Sequence, residues 1–318
     1  MKRIQVIIVI VLASLQFGAN AQEKKIKFSS GTLKICSSKN FKIKGYDGTE
    51  VIIKSLHEKR NSYSLSANLA QGYARNAKVK GVSVGSSYTR SFPRRKGDTT
   101  APKLLFTYSD TKRRVGLKRL GKKQENVDLG IYFTIEKKNG ELIFKDETTG
   151  QFVMYSGESY EIMIPNTIKL NWDTNGCRES SSQRRTGRFF YSSNASSLSD
   201  FKGEVEISTS LNNMKLKDLT GPVSINSIGG NVTIEFDKKK PMKLYSIYSN
   251  NGFIDITLPS DSDISVDAQG AAIYSDIDFN VLSDTEERNK QKMRLKLKNG
   301  RTKMKLDAGL GNIYLRKK

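Results

Sequence analysis

The sequence predicts an all-β protein, and the architecture it favours is a β-solenoid, like a single-stranded β-helix, of short strands that each follow a glycine. Between Gly203 and Leu258, the segments GEVEI, GPVSI, GGNVTIEF and NNGFIDITLP place apolar residues two and four positions after a glycine. An apolar residue at every second position is typical of a strand with one buried face. After residue 21, no stretch has the 3.6-residue apolar period of an amphipathic helix.

The same pattern recurs outside this block. Its glycines are Gly31, Gly140, Gly203, Gly221, Gly230, Gly252 and Gly311. We predict that each one supplies a positive-φ corner through which the chain turns into the next strand. The spacing between successive glycines from Gly203 to Gly252 is irregular, which suits strands joined by loops of variable length. A β-sandwich, whose hairpins also use glycine, is the alternative architecture.

Other strands are predicted on both sides of this block. Residues 26–54 contain two or three strands, and 129–144 form a hairpin that turns at Lys138-Asn139-Gly140. Asn-Gly between alternating apolar residues is a strong hairpin signal. Residues 160–165 and 168–172 continue the sheet, and 264–279 add a weaker turn of the repeat. The charged segment that follows, 283–291, is predicted to be a loop.

The N-terminus has the three parts of a secretory signal peptide: Lys2 and Arg3, an apolar run at 4–15, and the small-residue site Ala19-Asn20-Ala21. We therefore expect an exported chain, located in the periplasm, on the cell surface or outside the cell. No later stretch approaches the roughly 20 apolar residues of a membrane span, so no transmembrane segment is expected after cleavage.

The mature chain divides by composition. Residues 22–177 are predicted to be an N-terminal β region that carries a basic insertion at about 56–127. Residues 178–200, rich in serine, are predicted to be a linker or loop, with a short strand at Phe189, Phe190 and Tyr191. The repeat block at 201–318 is expected to be continuous with the N-terminal part.

The charge points to anionic partners. The chain has 54 Lys and Arg against 32 Asp and Glu, a net charge of +22, and such an excess favours polyanions. The candidate binding residues in the insertion are Arg94, Arg95, Lys96, Lys112, Arg113, Arg114, Lys118, Arg119, Lys122 and Lys123. A second cluster, Lys292, Arg294, Lys296 and Lys298, lies on one face of a predicted strand. A solvated cationic surface is the alternative for both clusters, and the favoured one for the second.

The sequence predicts no catalytic residue, metal site or cofactor. A disulfide between Cys36 and Cys177 is favoured over two free thiols in an oxidising compartment. There is no Cys-x-x-Cys, and His57 is the only histidine. The carboxylates that a calcium-dependent polysaccharide lyase would use are Asp255, Asp261, Asp263, Asp276 and Asp278. Strand alternation and a turn after Pro259 account for them equally well.

Several segments, in their order, resemble a known family. GEVEIS, KLKDLTGPVSINSIGGNVTIEF, NGFIDITLP and KNGRTKMKLDAGLGNIYLRK resemble the uncharacterised bacterial "putative adhesin" domains built from β-strand repeats. GYDGTEVIIK and YEIMIPNTIKLN resemble the N-terminal part of the same domains. The resemblance covers most of 26–54 and 129–318, without the basic insertion. It implies a solenoid-like stack of strands in an envelope or surface protein, and it supplies no ligand and no catalytic residues.

These observations lead to one expected function and two rivals. We expect an exported, non-enzymatic, adhesin-like protein that binds anionic polysaccharide, lipopolysaccharide or another anionic polymer, and nucleic acid only non-specifically. The first rival is a structural or regulatory component of the cell envelope that binds a protein partner. The second is a β-helix lyase that acts on carbohydrate.

Overall fold

The computed structural model describes residues 23–37, 39–56, 87–90, 106–110, 129–146, 152–156, 159–174, 176–177, 189–192 and 195–318. The predicted signal peptide lies outside these ranges. The strands are β1 (Glu23–Lys27), β2 (Thr32–Cys36), β3 (Asn40–Tyr46), β4 (Glu50–Ser55), β5 (Ser87–Arg90), β6 (Phe106–Asp110), β7 (Phe133–Lys138), β8 (Glu141–Asp146), β9 (Phe152–Ser156), β10 (Ser159–Pro165), β11 (Lys169–Asp173), β12 (Phe189–Ser192), β13 (Ser196–Ser199), β14 (Val205–Ser210), β15 (Met214–Lys217), β16 (Val223–Ile228), β17 (Val232–Glu235), β18 (Tyr245–Asn250), β19 (Ile254–Leu258), β20 (Ile264–Gly270), β21 (Ile273–Ser275), β22 (Asn280–Glu287), β23 (Lys290–Leu297), β24 (Thr302–Asp307) and β25 (Ile313–Lys317). The all-β prediction is confirmed.

The strands form three mixed sheets. Sheet A has ten strands in the order β1-β4-β10-β3-β13-β15-β17-β19-β25-β21, and sheet B has eleven in the order β22-β23-β20-β24-β18-β16-β14-β11-β2-β8-β7. Sheet C contains β12, β9, β6 and β5. Sheets A and B are open, and they contribute their inner faces to one hydrophobic core. This two-layered layout is compatible with a sandwich.

From β13 to β19, consecutive strands alternate between sheets A and B, and neighbours within each sheet pair in parallel. Val205 pairs with Val223 in sheet B, and Met214 pairs with Val232 in sheet A. The number of residues between paired positions is therefore the same in both sheets. From β16 to β18 in sheet B and from β17 to β19 in sheet A, this sequence separation is longer, and it is again equal in the two sheets. Each strand pair therefore stacks in register on the preceding pair.

The core follows from the two-residue alternation. In sheet B, Ile207, Ile225 and Ile247 stack at matching positions, and each is at most 2% exposed. Leu216, Ile234 and Ile256 form the equivalent row in sheet A. Burying each such side chain contributes about 1.5–3 kcal/mol of hydrophobic free energy. Because every row continues from strand to strand, each pair depends on its neighbours for burial.

Aromatic packing and a disulfide consolidate the N-terminal part. The ring centroid of Phe41 lies 5.9 Å from that of Trp172, and the Trp172 indole N–H donates to the carbonyl oxygen of Ser37 at 3.2 Å. Cys36 and Cys177 form a disulfide with a Cα–Cα distance of 4.9 Å. The bond links the end of β2 to the segment that follows β11, its parallel neighbour in sheet B.

The predicted role of the repeat glycines is wrong at five of the seven positions. Gly31 and Gly140 have positive φ, but Gly203, Gly221, Gly230, Gly252 and Gly311 do not. At these five glycines, a backbone carbonyl oxygen of a neighbouring segment occupies the space that a side chain would need. A Cβ on Gly252 would lie 2.1 Å from the carbonyl oxygen of Gly230, and one on Gly311 would lie 1.9 Å from that of Gly252. The glycines thus allow close approach of the chain between stacked strands.

The structure differs from prediction in two segments. The predicted loop at 283–291 lies mostly in the antiparallel β22–β23 hairpin, which turns at Arg288 and Asn289, both with positive φ. Every side chain of β22 except Ser283 is exposed, so no apolar alternation marks that strand. Within the predicted linker at 178–200, the strand at Phe189–Ser192 was expected, but β13 was not. Serine fills one of the two inward positions of β13, Leu198 the other.

Candidate anion-binding face

The ten predicted polyanion-binding residues of the insertion, Arg94 to Lys123, lie outside the described residues, as does His57. The second predicted cluster is described. We therefore build the candidate site from the outer surface of sheet B, where β23, β20 and β24 lie side by side.

Alternation places cations on the outer surface of two of these strands. In β23, Leu295 is buried in the core, so Lys292, Arg294 and Lys296 point outward. In β24, Met304 and Leu306 are buried, so Lys303 and Lys305 point outward. We call these five residues the basic face. Lys303 and Lys305 were missed in the sequence, although their alternation with Met304 and Leu306 carries the same signal as β23.

The pairing register sets the geometry of the basic face. Asp267 of β20 lies opposite both Arg294 and Lys305, and Ser265 lies opposite both Lys296 and Lys303. Cations within a strand are therefore about 7 Å apart, and the two cationic strands are about 10 Å apart. The result is two cationic rows with one carboxylate between them.

None of the cations of the basic face is in an ion pair with a described residue, whereas several other described lysines are. Among the described residues, no carboxylate oxygen lies within 4.0 Å of the five, and the Arg294 Nε–H donates to the Ser283 hydroxyl at 3.1 Å. By contrast, Lys202 contacts Asp47 at 2.9 Å, and Lys239 contacts Asp200 at 3.3 Å. A cation that is not held in an ion pair is available to contact an incoming anion, although Asp267 offsets part of the positive charge.

The prediction that Lys298 shares this face is wrong. Strand β23 ends at Leu297, and Lys298 follows with a φ of 54°. Its ammonium donates to the carbonyl oxygen of Asp261 at 2.8 Å. The left-handed turn ends the alternation that would have placed Lys298 beside Lys296 on the same face.

A second group of lysines lines a cleft of about 640 Å³. The residues that line it are Lys202, Thr220, Lys239, Lys240, Met242 and Lys243. The loop between β17 and β18 supplies four of these residues. Buried Asp218 fixes this loop by accepting hydrogen bonds from the backbone N–H groups of residues 237, 238 and 239 at 2.8 to 3.1 Å. Three of the cleft lysines already contact carboxylates, Lys202 with Asp47, Lys239 with Asp200 and Lys240 with Asp261. The cleft is therefore less suited to bind a polyanion than the basic face.

One carboxylate beside this loop gives a pH prediction. Hydrogen bonds from Lys318 and then Lys217 lower the pKa of Asp237 to about 2. Because the pKa is lowered in the folded state, the stabilisation is present above the ordinary pKa of 3.8 and is lost as the pH falls through about 2. We expect Lys318→Ala to raise the pKa of Asp237 towards 3.8, as measured by carboxyl NMR titration. Lys238→Ala is the control. An unchanged pKa in Lys318→Ala would contradict the assignment.

The carboxylates considered for a calcium site are mostly engaged in other contacts. Asp255 accepts from the Arg316 guanidinium at 2.8 Å, Asp261 pairs with Lys240, and Asp263 contacts Arg301 at 3.3 Å. Asp276 accepts the backbone N–H of Lys317. Within the part of the chain that the structure describes, no group of three or more His, Cys, Asp or Glu residues is placed to hold a metal ion.

Comparison with known proteins leaves the family resemblance a prediction. No protein-family model matches the chain, and no curated protein matches it. A solved structure of a "putative cell adhesion protein" from Clostridium sporogenes ATCC 15579 aligns with a TM-score of 0.37 and 10% identity, over 93% of this chain and 99% of that chain. A likeness this distant assigns neither family nor function. Among the described residues, no helix is long and apolar enough to cross a membrane.

Proposed function

We propose that the protein is an exported, non-enzymatic, adhesin-like protein that binds an anionic polymer of the cell envelope or its surroundings through the basic face. The observation that carries this proposal is the pair of cationic rows, Lys292-Arg294-Lys296 and Lys303-Lys305, which have no carboxylate in ion-pair contact among the described residues. Ion pairs occupy many of the other surface lysines.

The geometry of the basic face suits a polymer better than a small anion. Its cations lie on an open sheet surface and are about 7 Å apart along each strand. Sulfate, phosphate or uronate groups repeating along a chain can contact several such cations at once. Each exposed contact contributes little because water screens it. Affinity therefore arises from several simultaneous contacts and from the release of counterions.

We further infer that the strand pairs from β13 to β19 are turns of a β-solenoid. The parallel pairing supports this inference, and so does the equal advance of both sheets at each of two successive steps. A solenoid has a surface made of stacked, equivalent strands, which presents side chains in straight rows. The two cationic rows of the basic face are then rows of this kind, near the end of the stack at which sheet B ends in β22.

The experiment is a binding panel of sulfated polysaccharide, uronic-acid polysaccharide, lipopolysaccharide and DNA, each titrated with salt. We expect Lys292→Ala/Arg294→Ala/Lys296→Ala to weaken binding and to reduce the slope of log K against log salt by about 2–3. Lys138→Ala/Lys215→Ala/Lys317→Ala is the matched control, since it removes equal charge from exposed sites outside both the basic face and the lysine cleft.

Three outcomes separate this proposal from the alternatives. Loss of binding in the face variant alone supports the basic face as the site. Equal losses in the two variants mean that the attraction is a general effect of net charge, and the proposal fails. If neither variant weakens a measurable affinity, the site lies elsewhere, and deletion of residues 86–124 then tests the predicted insertion residues.

A further inference from the structure

The two large sheets each end in strands that have only one neighbour among the described residues. Sheet A ends in β1 and β21, and sheet B ends in β7 and β22. The Lys137 ammonium of β7 donates to the Lys27 carbonyl oxygen of β1 at 3.2 Å, so these two strands lie at the same end. At the other end, the Ile273 N–H donates to the Gln291 side chain at 3.0 Å, which places β21 beside the β22–β23 hairpin.

The outermost strands at the two ends carry opposite charges, and at the second end the cations of β23, three of them in the basic face, lie one strand inward of β22. Residues 271–287, which include β21 and β22, contain five carboxylates and no Lys or Arg in a chain of net charge +22. These are Asp276, Asp278, Asp284, Glu286 and Glu287, all exposed. Strands β1 and β7 contain Lys24, Lys25, Lys27, Lys137 and Lys138 against Glu23 and Glu136. We call these the acidic end and the basic end.

The open strands also allow backbone pairing between copies. Strand β22 is eight residues long and β7 is six, and the outer edge of each has unpaired N–H and C=O groups within the described fold. Strand β22 runs in the same direction as β20, whereas β7 runs opposite to β8. A second copy in the same orientation would therefore place its β7 antiparallel to β22. Antiparallel strands form a regular hydrogen-bonded ladder.

Side chains at the acidic end are suited to being covered. Tyr274 of β21 is 53% exposed and stacks on Tyr314 with ring centroids 5.4 Å apart. The Arg316 guanidinium already lies over the Tyr314 ring at 5.4 Å. The exposed ring of Tyr274 is likewise available to a lysine of β1 from a second copy. Val281 and Leu282, each about half exposed, would also be buried by an added strand.

We propose that the protein assembles head to tail, with the basic end of one copy binding the acidic end of the next. The interface uses two different surfaces, so it is heterologous, and repetition produces a linear oligomer. This inference does not depend on the basic face, and its test contains no polymer.

Sedimentation velocity on the purified protein over a range of concentrations tests the proposal. We expect the average mass of the wild type to rise with concentration at low salt and to return to the monomer value when salt screens the ends. Glu286→Lys/Glu287→Lys changes the acidic end, and Lys137→Glu/Lys138→Glu changes the basic end. Each variant alone should stay monomeric, whereas an equimolar mixture should regain the higher mass, because each then offers the other a complementary end.

Lys215→Glu/Lys243→Glu, which changes charge away from both ends, should assemble as the wild type does. Recovery in the mixture also shows that both end variants are folded. A wild type that stays monomeric at every concentration would overturn the proposal. So would a basic-end variant that assembles like the wild type while the acidic-end variant does not, since that pattern indicates pairing between two acidic ends.

Discussion

Gly252→Ala is expected to lower the free energy of unfolding by about 3 kcal/mol, at the upper end of the usual cost of overpacking and a large effect for the addition of one methyl group. Its Cβ would lie 2.1 Å from the carbonyl oxygen of Gly230 and 2.8 Å from its carbonyl carbon. These are backbone atoms, so they cannot rotate away. To accept the methyl group, the stack Gly230–Gly252–Gly311 must separate, and this lengthens the parallel hydrogen bonds between β17, β19 and β25. Urea denaturation measures the loss.

Gly140→Ala is the matched control. Gly140 has a φ of 75°, and a Cβ built on it meets no atom within 4 Å. Its cost is therefore only the backbone strain of alanine in the left-handed region, about 1–2 kcal/mol. If Gly252→Ala costs no more than Gly140→Ala, the clash with the Gly230 backbone has no measurable cost, and the stacking explanation is wrong.

Sequence periodicity located the strands that have two inward Val or Ile residues after a glycine. Strands β14, β16, β17 and β19 meet that rule, and their inward residues are buried. Strand β15 uses Met214 and Leu216, and β18 uses Tyr245 and Ile247, without a glycine two positions earlier. A pattern defined by a leading glycine does not predict these strands, although their alternation is equally regular.

The equal advance of the two sheets was not visible in the sequence, for a structural reason. Gly203 and Gly221 precede strands of sheet B, whereas Gly230 and Gly252 precede strands of sheet A. Reading the four glycines as one series therefore mixes two sheets, and their spacing looks irregular. Reading each sheet separately gives the same two steps in both. A single sequence does not show which sheet a strand joins, so the equal steps in the two sheets appear only after the strands are paired.

The candidate site was partly accessible from sequence. Alternation alone identified Lys292, Arg294 and Lys296 as one face, because strand geometry is local. Whether a carboxylate pairs with them depends on the neighbouring strands β20 and β24. Strands β20 and β24 pair in parallel, so they are distant in the sequence, and local alternation does not predict which residues they place beside the cations. The acidic end was hidden for a similar reason, since the predicted loop at 283–291 lies mostly in a terminal hairpin of sheet B.

The central structural claim is that strand pairs are interchangeable turns of one stack. Deletion of residues 205–222 removes β14 and β15 and joins residue 204 to Val223, which occupies the position equivalent to Val205 in the next pair. Strand β13 can then pair with β17, and β11 with β16, by the parallel contacts already used. Deletion of residues 205–213 removes β14 alone and transfers every later strand of the stack to the opposite sheet.

Urea denaturation of these two deletion variants, followed by far-ultraviolet circular dichroism, is the most direct measurement. We expect the variant that lacks both β14 and β15 to keep a cooperative transition, with reduced stability because fewer turns remain. The variant that lacks β14 alone, although its deletion is smaller, should lose the transition. If both variants lose it, each strand requires its own partner, and the protein is a sandwich in which no pair can be omitted.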